Sequence, residues 1–185
     1  DKGITGRTYS FSTSATEPDN ESLYYQFDWG DGNRSEWYGP YTQGTVGNGS
    51  HIWPDSGVFS VRARAKDTVG VQCKWSTPHN ITITTLPTLK IQNIRVVNGR
   101  LHSTITNIGT VNSYDMNWSI SLKGGLILFG KQTTATNQKL TVGLSTDIAS
   151  HVIIGFGKTT ITVKLETQGE VFERNATATI MLFFI

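Results

Sequence analysis

Apolar and polar residues alternate one for one along much of this chain. Leu23, Tyr25, Phe27 and Trp29 interleave with Tyr24, Gln26 and Asp28, and Phe59, Val61, Ala63 and Ala65 interleave with Ser60, Arg62, Arg64 and Lys66. A period of two belongs to an extended strand that turns one face to a core and the other to water. The pattern returns in Met116, Trp118, Ile120 and Leu122, and again in Ile161, Val163 and Leu165. Apolar residues nowhere recur at helical spacing over a helical length, so the predicted fold class is all-β.

Breaks in the alternation fall at turn residues. Gly30-Asp31-Gly32 closes the first aromatic run, because glycine reaches positive φ freely and Asp bonds its own downstream backbone. The returning hairpin partner is expected near Ser35 to Trp37. In the second half, Asn98-Gly99, Asn107-Ile108-Gly109, Gly124-Gly125, Gly130, Gly143, Gly155, Gly157 and Gly169 punctuate the chain. That spacing predicts about seven or eight short strands, the content of one sandwich. Thr84-Thr85-Leu86-Pro87-Thr88 reads as a joint: Pro87 has no N–H for a sheet ladder and pushes Leu86 toward extended backbone. At 185 residues the chain has room for two ordinary domains. The reading is two tandem immunoglobulin-like β-sandwiches, residues 1–86 and 87–185.

The last run, Thr179-Ile180-Met181-Leu182-Phe183-Phe184-Ile185, is apolar on both faces. A covered central strand accounts for it. So does an assembly strand that offers Ile180, Leu182 and Phe184 to another subunit.

Composition narrows the functional classes. Charged residues are 16% of the chain and the net charge is +2, with nine acids against seven bases up to residue 87 and five against nine beyond it. Nucleic acid is not an expected partner, because Arg62, Arg64 and Lys66 read as the outer face of one strand rather than as a phosphate-binding cluster. Membrane insertion by this segment is not expected either, since an apolar run of about 18 residues is missing. Cys73 is the single cysteine, which excludes an intramolecular disulfide. It is expected on a strand beside the core.

Several spaced motifs in residues 5 to 85 resemble the polycystic kidney disease (PKD) domain. They are the early strand Tyr9-Ser10-Phe11-Ser12-Thr13-Ser14-Ala15, the turn Glu17-Pro18-Asp19-Asn20, the turn Trp29-Gly30-Asp31-Gly32, and the closing pair Gly57-Val58-Phe59-Ser60-Val61 and Asp67-Thr68-Val69-Gly70. Glu17 stands where the family usually has Asp, and Asn20 where it usually has Gly. In the second half, Asn107-Ile108-Gly109 followed by Asn117-Trp118-Ser119-Ile120 resembles bacterial and archaeal immunoglobulin-like surface modules of the CARDB type. The first resemblance implies an extracellular spacer at the cell surface and carries over no catalytic residue. It also implies a possible calcium site at Ser14, Glu17, Asp19 and Asp67, against which stands a merely solvated acidic rim. No other cofactor is expected. Because residue 1 is not methionine and the first PKD strand lies close to it, the chain reads as a processed protein or as a fragment of a longer, multidomain secreted chain.

The remaining candidate chemistry is sparse. His51, His79, His102 and His151 are dispersed, and His51 is expected to bond nearby backbone while Trp53 packs. Asp28 and Asp31 read as turn caps rather than a glycosidase pair. Sequons at Asn20, Asn33, Asn48, Asn80, Asn117 and Asn175 are candidate glycosylation sites, some of which chance supplies in a Ser- and Thr-rich chain. Tyr24, Trp37, Tyr38 and Tyr41 around Gly39-Pro40 form either a sugar-stacking platform or hairpin packing. Taken together, the residues indicate a non-catalytic structural or adhesive module of an extracellular cell-surface protein. Its partners would be other subunits, other domains of the same larger chain, or glycans. An accessory carbohydrate-binding or spacer region of a secreted hydrolase is the main alternative, and a viral or phage surface protein a third.

Overall fold

The computed structural model describes residues 1–18 and 21–181, with the side chains of residues 137 and 138 excepted. Among the described residues there are fifteen strands and no helix. The chain divides into two compact units, Asp1–Thr85 and Leu86–Ile185, each an immunoglobulin-like β-sandwich.

Unit 1 contains β1 (Lys2–Ile4), β2 (Thr8–Thr13), β3 (Leu23–Asp28), β4 (Tyr38–Tyr41), β5 (Gly47–Ile52), β6 (Gly57–Lys66) and β7 (His79–Thr84). One sheet runs β1-β7-β6-β3-β4 and the other is β2-β5. Between them lie Leu23, Tyr25, Phe27, Trp29, Trp53 and Val61, with Ile81 and Ile83 from β7. The alternation in β3 makes this core, since its odd-numbered residues are all buried. Three large aromatics in a row on one sheet need room on the other, and β5 supplies it through glycine. A Cβ at Gly49 would stand 2.6 Å from the Phe27 ring, and one at Gly47 would collide with Tyr25. The segment that reads as turn-rich from Gly47 to Ser50 is therefore a strand, kept bare so that the aromatic sheet can close on it. The hairpin partner of β3 returns where expected, through an antiparallel Asp28–Arg34 bridge and the Ser35 N–H bond to the Phe27 carbonyl at 2.9 Å, and becomes a regular strand at Tyr38, with Tyr25 opposite Tyr38 and Leu23 opposite Tyr41. Cys73 lies outside the strands and is exposed, with its Sγ 3.1 Å from the Ala65 N–H, so the expected strand position is corrected.

Unit 2 contains β8 (Leu89–Val97), β9 (Arg100–Asn107), β10 (Ser113–Lys123), β11 (Leu126–Phe129), β12 (Gln132–Leu140), β13 (Ser145–Val152), β14 (Ile154–Thr167) and β15 (Glu170–Ile180). β12, β10, β14 and β15 pair in that order, and β11 continues beside the first residues of β14. The facing sheet is β13-β9-β8. Met116, Ile120, Val163 and Leu165 are fully buried between them, with Ile105 and Ile148 from the facing sheet. Two glycines taken for turns, Gly155 and Gly157, lie inside β14 instead. At Gly155 a side chain would strike the Leu126 carbonyl, so the absence of Cβ lets β11 approach. Asn107 is not a turn tip either. It is fully buried, donates from Nδ2 to the carbonyls of Val111 (2.9 Å) and Leu140 (3.0 Å), and accepts from the Gly109 N–H at Oδ1.

These cores set the stability of each unit. Trp53→Ala removes a wholly buried indole and should cost about 3–5 kcal/mol, and Ile120→Ala about 2–5 kcal/mol. Urea unfolding followed by fluorescence and circular dichroism should show each loss in the transition of the unit that carries the change.

Candidate functional site

The outer face of the larger sheet in unit 1 carries its densest surface chemistry. The register sets Tyr24 opposite Lys66, Gln26 opposite Arg64 and Asp28 opposite Arg62. Two tryptophans from flanking loops, Trp37 and Trp75, lean over the same strands. The Arg64 guanidinium lies 4.4 Å from the Trp75 ring and 5.2 Å from the Trp37 ring, while Lys66 Nζ lies 4.6 Å from Trp37 and 5.3 Å from Tyr24. Arg34 extends the row at 5.3 Å from Trp75. Gln26 Oε1 accepts from Arg64 Nε (3.1 Å) and Nη2 (2.7 Å), which fixes the guanidinium plane against the rings. Aromatic and cationic side chains thus alternate in a ladder across the face.

This arrangement divides the four aromatics expected around Gly39-Pro40. Tyr24 and Trp37 belong to the ladder. Tyr38 and Tyr41 instead pack on the core, their ring centroids 6.3 Å from Phe27 and 5.5 Å from Tyr25 respectively. Trp75 and the cations were invisible as partners in the sequence, because Trp75 lies in a segment without alternation. The positions of Arg64 and Lys66 two apart on an outer strand face were the available signal.

A second arrangement forms at the Gly30-Asp31-Gly32 turn. Asp28 Oδ1 accepts from the Gly30 N–H at 3.1 Å and Asp31 Oδ1 from the Asn33 N–H at 2.9 Å. Gly30 has φ of 78°, and a Cβ there would meet the Ser60 backbone at 2.6 Å. The other oxygen of Asp31 pairs with His51 Nε2 at 2.7 Å, and the His51 ring stacks on Trp29 with centroids 4.9 Å apart. His51 is thus held by a carboxylate rather than by the backbone, which corrects the expectation. Burial raises the affinity of the Asp31 carboxyl for a proton, but the His51 bond and the Asn33 bonds outweigh it and hold the group below its ordinary value. Asp28 also bonds Arg34 Nε at 3.2 Å, so both carboxylates are committed to the turn.

Of the expected calcium ligands, three lie among the described residues, along two depressions that share Ala15, Ala65 and Cys73. Glu17 and Asp67 line one open depression of about 180 Å³ and Ser14 lines another. Asp67 Oδ1 already accepts from the Val71 N–H at 2.8 Å. Asp19 lies outside the described residues. Among the described residues no three His, Cys, Asp or Glu side chains converge as a metal site.

Comparison with solved structures places the PKD domain of an M14-like peptidase from a Thermoplasmatales archaeon beside this chain, with 35% identity over 44% of this chain and 84% of that one, at a TM-score of 0.41. The first unit belongs to the PKD family. The fibronectin(III)-like modules of Clostridium thermocellum CbhA align at 12% identity over 97% of this chain and 88% of that one, with a TM-score of 0.36. The chicken CNTN1 FN1-FN3 domains align at 14% identity over 96% and 61%, with a TM-score of 0.35. No family model and no curated protein matches the chain.

Outside the ladder and turn of the PKD unit, the remaining candidates separate. Asn33, Asn48, Asn80, Asn117 and Asn175 are all exposed, while Asn20 lies outside the described residues. Ser35, the hydroxyl residue of the Asn33 sequon, is buried and bonded to the Phe27 N–H and the Glu36 carbonyl, whereas Ser50 and Thr82 remain exposed. Of the expected assembly strand, Ile180 is buried at the end of β15, and Leu182 and Phe184 lie outside the described residues. Through Ile180, β15 pairs with β14 alone, at an edge of its sheet rather than in its centre.

The Asp31–His51 pair makes the PKD unit acid-sensitive. A carboxylate with a lowered folded value contributes stability that is complete above its unfolded value, near about 3.9, and disappears as pH falls through the folded value. The melting temperature of the unit should therefore fall as the pH drops below about 4. Asp31→Asn should flatten that part of the profile in thermal unfolding across pH.

Proposed function

We propose that this chain is a non-catalytic, load-bearing and adhesive module of an extracellular cell-surface protein, in which the PKD unit sets spacing and transmits force. The observation behind this reading is the pairing of the unit's first and last strands. β1 and β7 run parallel, with Lys2 opposite Thr82, Gly3 opposite Ile83 and Ile4 opposite Thr84. Further bonds extend the pairing: Thr82 N–H to the Asp1 carbonyl at 3.0 Å, Thr5 N–H to the Thr84 carbonyl at 3.0 Å, and Thr84 Oγ1 to the Gly3 carbonyl at 3.2 Å. When two parallel strands at opposite ends of a unit are pulled apart along their length, all the bonds between them bear load together. Perpendicular pulling would break them one at a time. Such a connection resists extension far more than its equilibrium stability indicates, because forced unfolding is set by the unfolding rate. The ladder supplies a polar, rigid face toward neighbouring subunits, glycans or other domains of the same larger chain.

The origin of the 35%-identical PKD domain, an M14-like peptidase, supports a second reading in which the chain is a spacer of a secreted hydrolase. The two readings separate on the surrounding reading frame: a hydrolase domain beside this segment favours the second, further PKD repeats with a wall or membrane anchor the first.

Single-molecule pulling on a concatemer of the PKD unit tests the load-bearing reading. Thr5→Pro removes the N–H that bonds the Thr84 carbonyl at 3.0 Å and should lower the unfolding force substantially. An equal force in wild type and variant, with both folded by circular dichroism, would show that the β1–β7 pairing bears no load.

A further inference from the structure

The second unit leaves apolar side chains in water at one end of its sandwich. β11 exposes Leu126 by 50%, Leu128 by 60% and Phe129 by 69%, and neighbouring Phe156 is 54% exposed. The register brings them together, since Leu126 pairs with Phe156 and Phe129 with Ile154. The facing sheet reaches the same end through Val152, which pairs with Arg100, and through Val97, which also pairs with Arg100. β15 finishes here as well: Ile180 lies opposite Gly157, and the exposed Met181 follows. Apolar runs this long do not stay exposed without a reason, because they recruit partners.

The charges around this end share one sign. Lys123 precedes the Gly124-Gly125 turn into β11, Lys131 follows Gly130 after it, Lys158 lies opposite Thr179, and Arg100 faces Val152. All four are exposed, and none forms an ion pair among the described residues. The carboxylates of the unit lie elsewhere. Asp147 sits further along β13, where it pairs with Arg95 and His102, and Asp115 lies toward the opposite end of β10. Glu166, Glu170 and Glu173 occupy the far end of the β14–β15 hairpin.

Exposed leucine and phenylalanine with a lysine rim is the chemistry of contact with a negatively charged lipid surface. The apolar tips enter the boundary between headgroups and acyl chains while the cations meet phosphates, each adding to the attraction. A protein partner fits less well, because lysine is depleted in protein interfaces relative to the rest of the surface, whereas here four cations gather around the patch with no carboxylate beside them. We propose that this end of the second unit docks onto the surface of an anionic lipid bilayer. The contact is peripheral and does not require insertion of a spanning segment. It stands apart from the load-bearing reading of the PKD unit, since its residues all belong to the other unit.

Flotation of the whole chain with phosphatidylcholine vesicles, with and without phosphatidylglycerol, tests the proposal. The chain should float with the anionic vesicles and lose binding as salt is raised. Leu128→Glu with Phe129→Glu should cut binding at least about tenfold, and Lys123→Glu, Lys131→Glu and Lys158→Glu together should do the same. Because these side chains are exposed, the variants should keep the wild-type circular-dichroism spectrum. A chain ended after Met181 should still bind. Failure to float with either vesicle, or flotation that survives both sets of substitutions, overturns the proposal, as does binding that depends only on residues 182–185. Self-association of the wild type by light scattering, abolished by the paired glutamates while vesicles stay bare, would assign the end to a second copy of the chain and equally overturn it.

Discussion

Tyr25, Phe27 and Trp29 project from one sheet of the PKD unit onto Gly47, Gly49 and His51 of the other, and the fit between that bulk and those gaps constrains everything around it. Large side chains on both sheets would hold them apart, and small ones on both would leave a void that costs stability. With glycine in β5, the aromatic row lies close to the opposing backbone. The row then continues as a stack in which Phe27 lies 5.1 Å from Trp29 and Trp29 lies 4.9 Å from His51. His51 ends the stack where Asp31 can reach it. The turn and the core are in this way one construction: the carboxylate that shapes the turn also fixes the ring that caps the aromatic row.

The second unit solves the same problem differently. Its core is mainly aliphatic, with Met116, Ile120, Ile148, Val163 and Leu165 at its centre and Trp118 among them, and among the described residues no ring stack sets the register. Buried polar groups do that instead. Asn107 bridges three backbone groups, Ser113 and Thr167 share a bond of 2.9 Å, and Ser150 accepts from the Leu101 N–H at 2.9 Å. Each such group must be bonded to be tolerated inside, so each admits few alternative strand registers.

The surfaces differ in kind as well. In the PKD unit, cations on the outer strand face lie over aromatic rings, which fixes charge and ring together in one rigid polar face. At the β11 end of the second unit, apolar side chains are exposed and the lysines form no ion pair among the described residues.

The strand content, the inward-facing residues and the joint near Pro87 were legible in the sequence, because alternation and turn residues are local properties with a fixed period. Leu23 to Trp29 and Met116 to Leu122 needed no partner to declare their faces. The caps made by Asp28 and Asp31 were equally local. What sequence could not supply was anything depending on which strands meet. Gly47 and Gly49 look like turn residues until the aromatic strand is laid across them, and Gly155 looks like a break until β11 is beside it. Asn107 looks like a loop until the carbonyls of Val111 and Leu140 surround it. The division of Tyr24 and Trp37 from Tyr38 and Tyr41, and the gathering of Leu128, Phe129 and Phe156 at one lysine-rimmed end, were likewise decided by tertiary pairing. Neighbours in space, unlike neighbours in sequence, are set only when the sheets close.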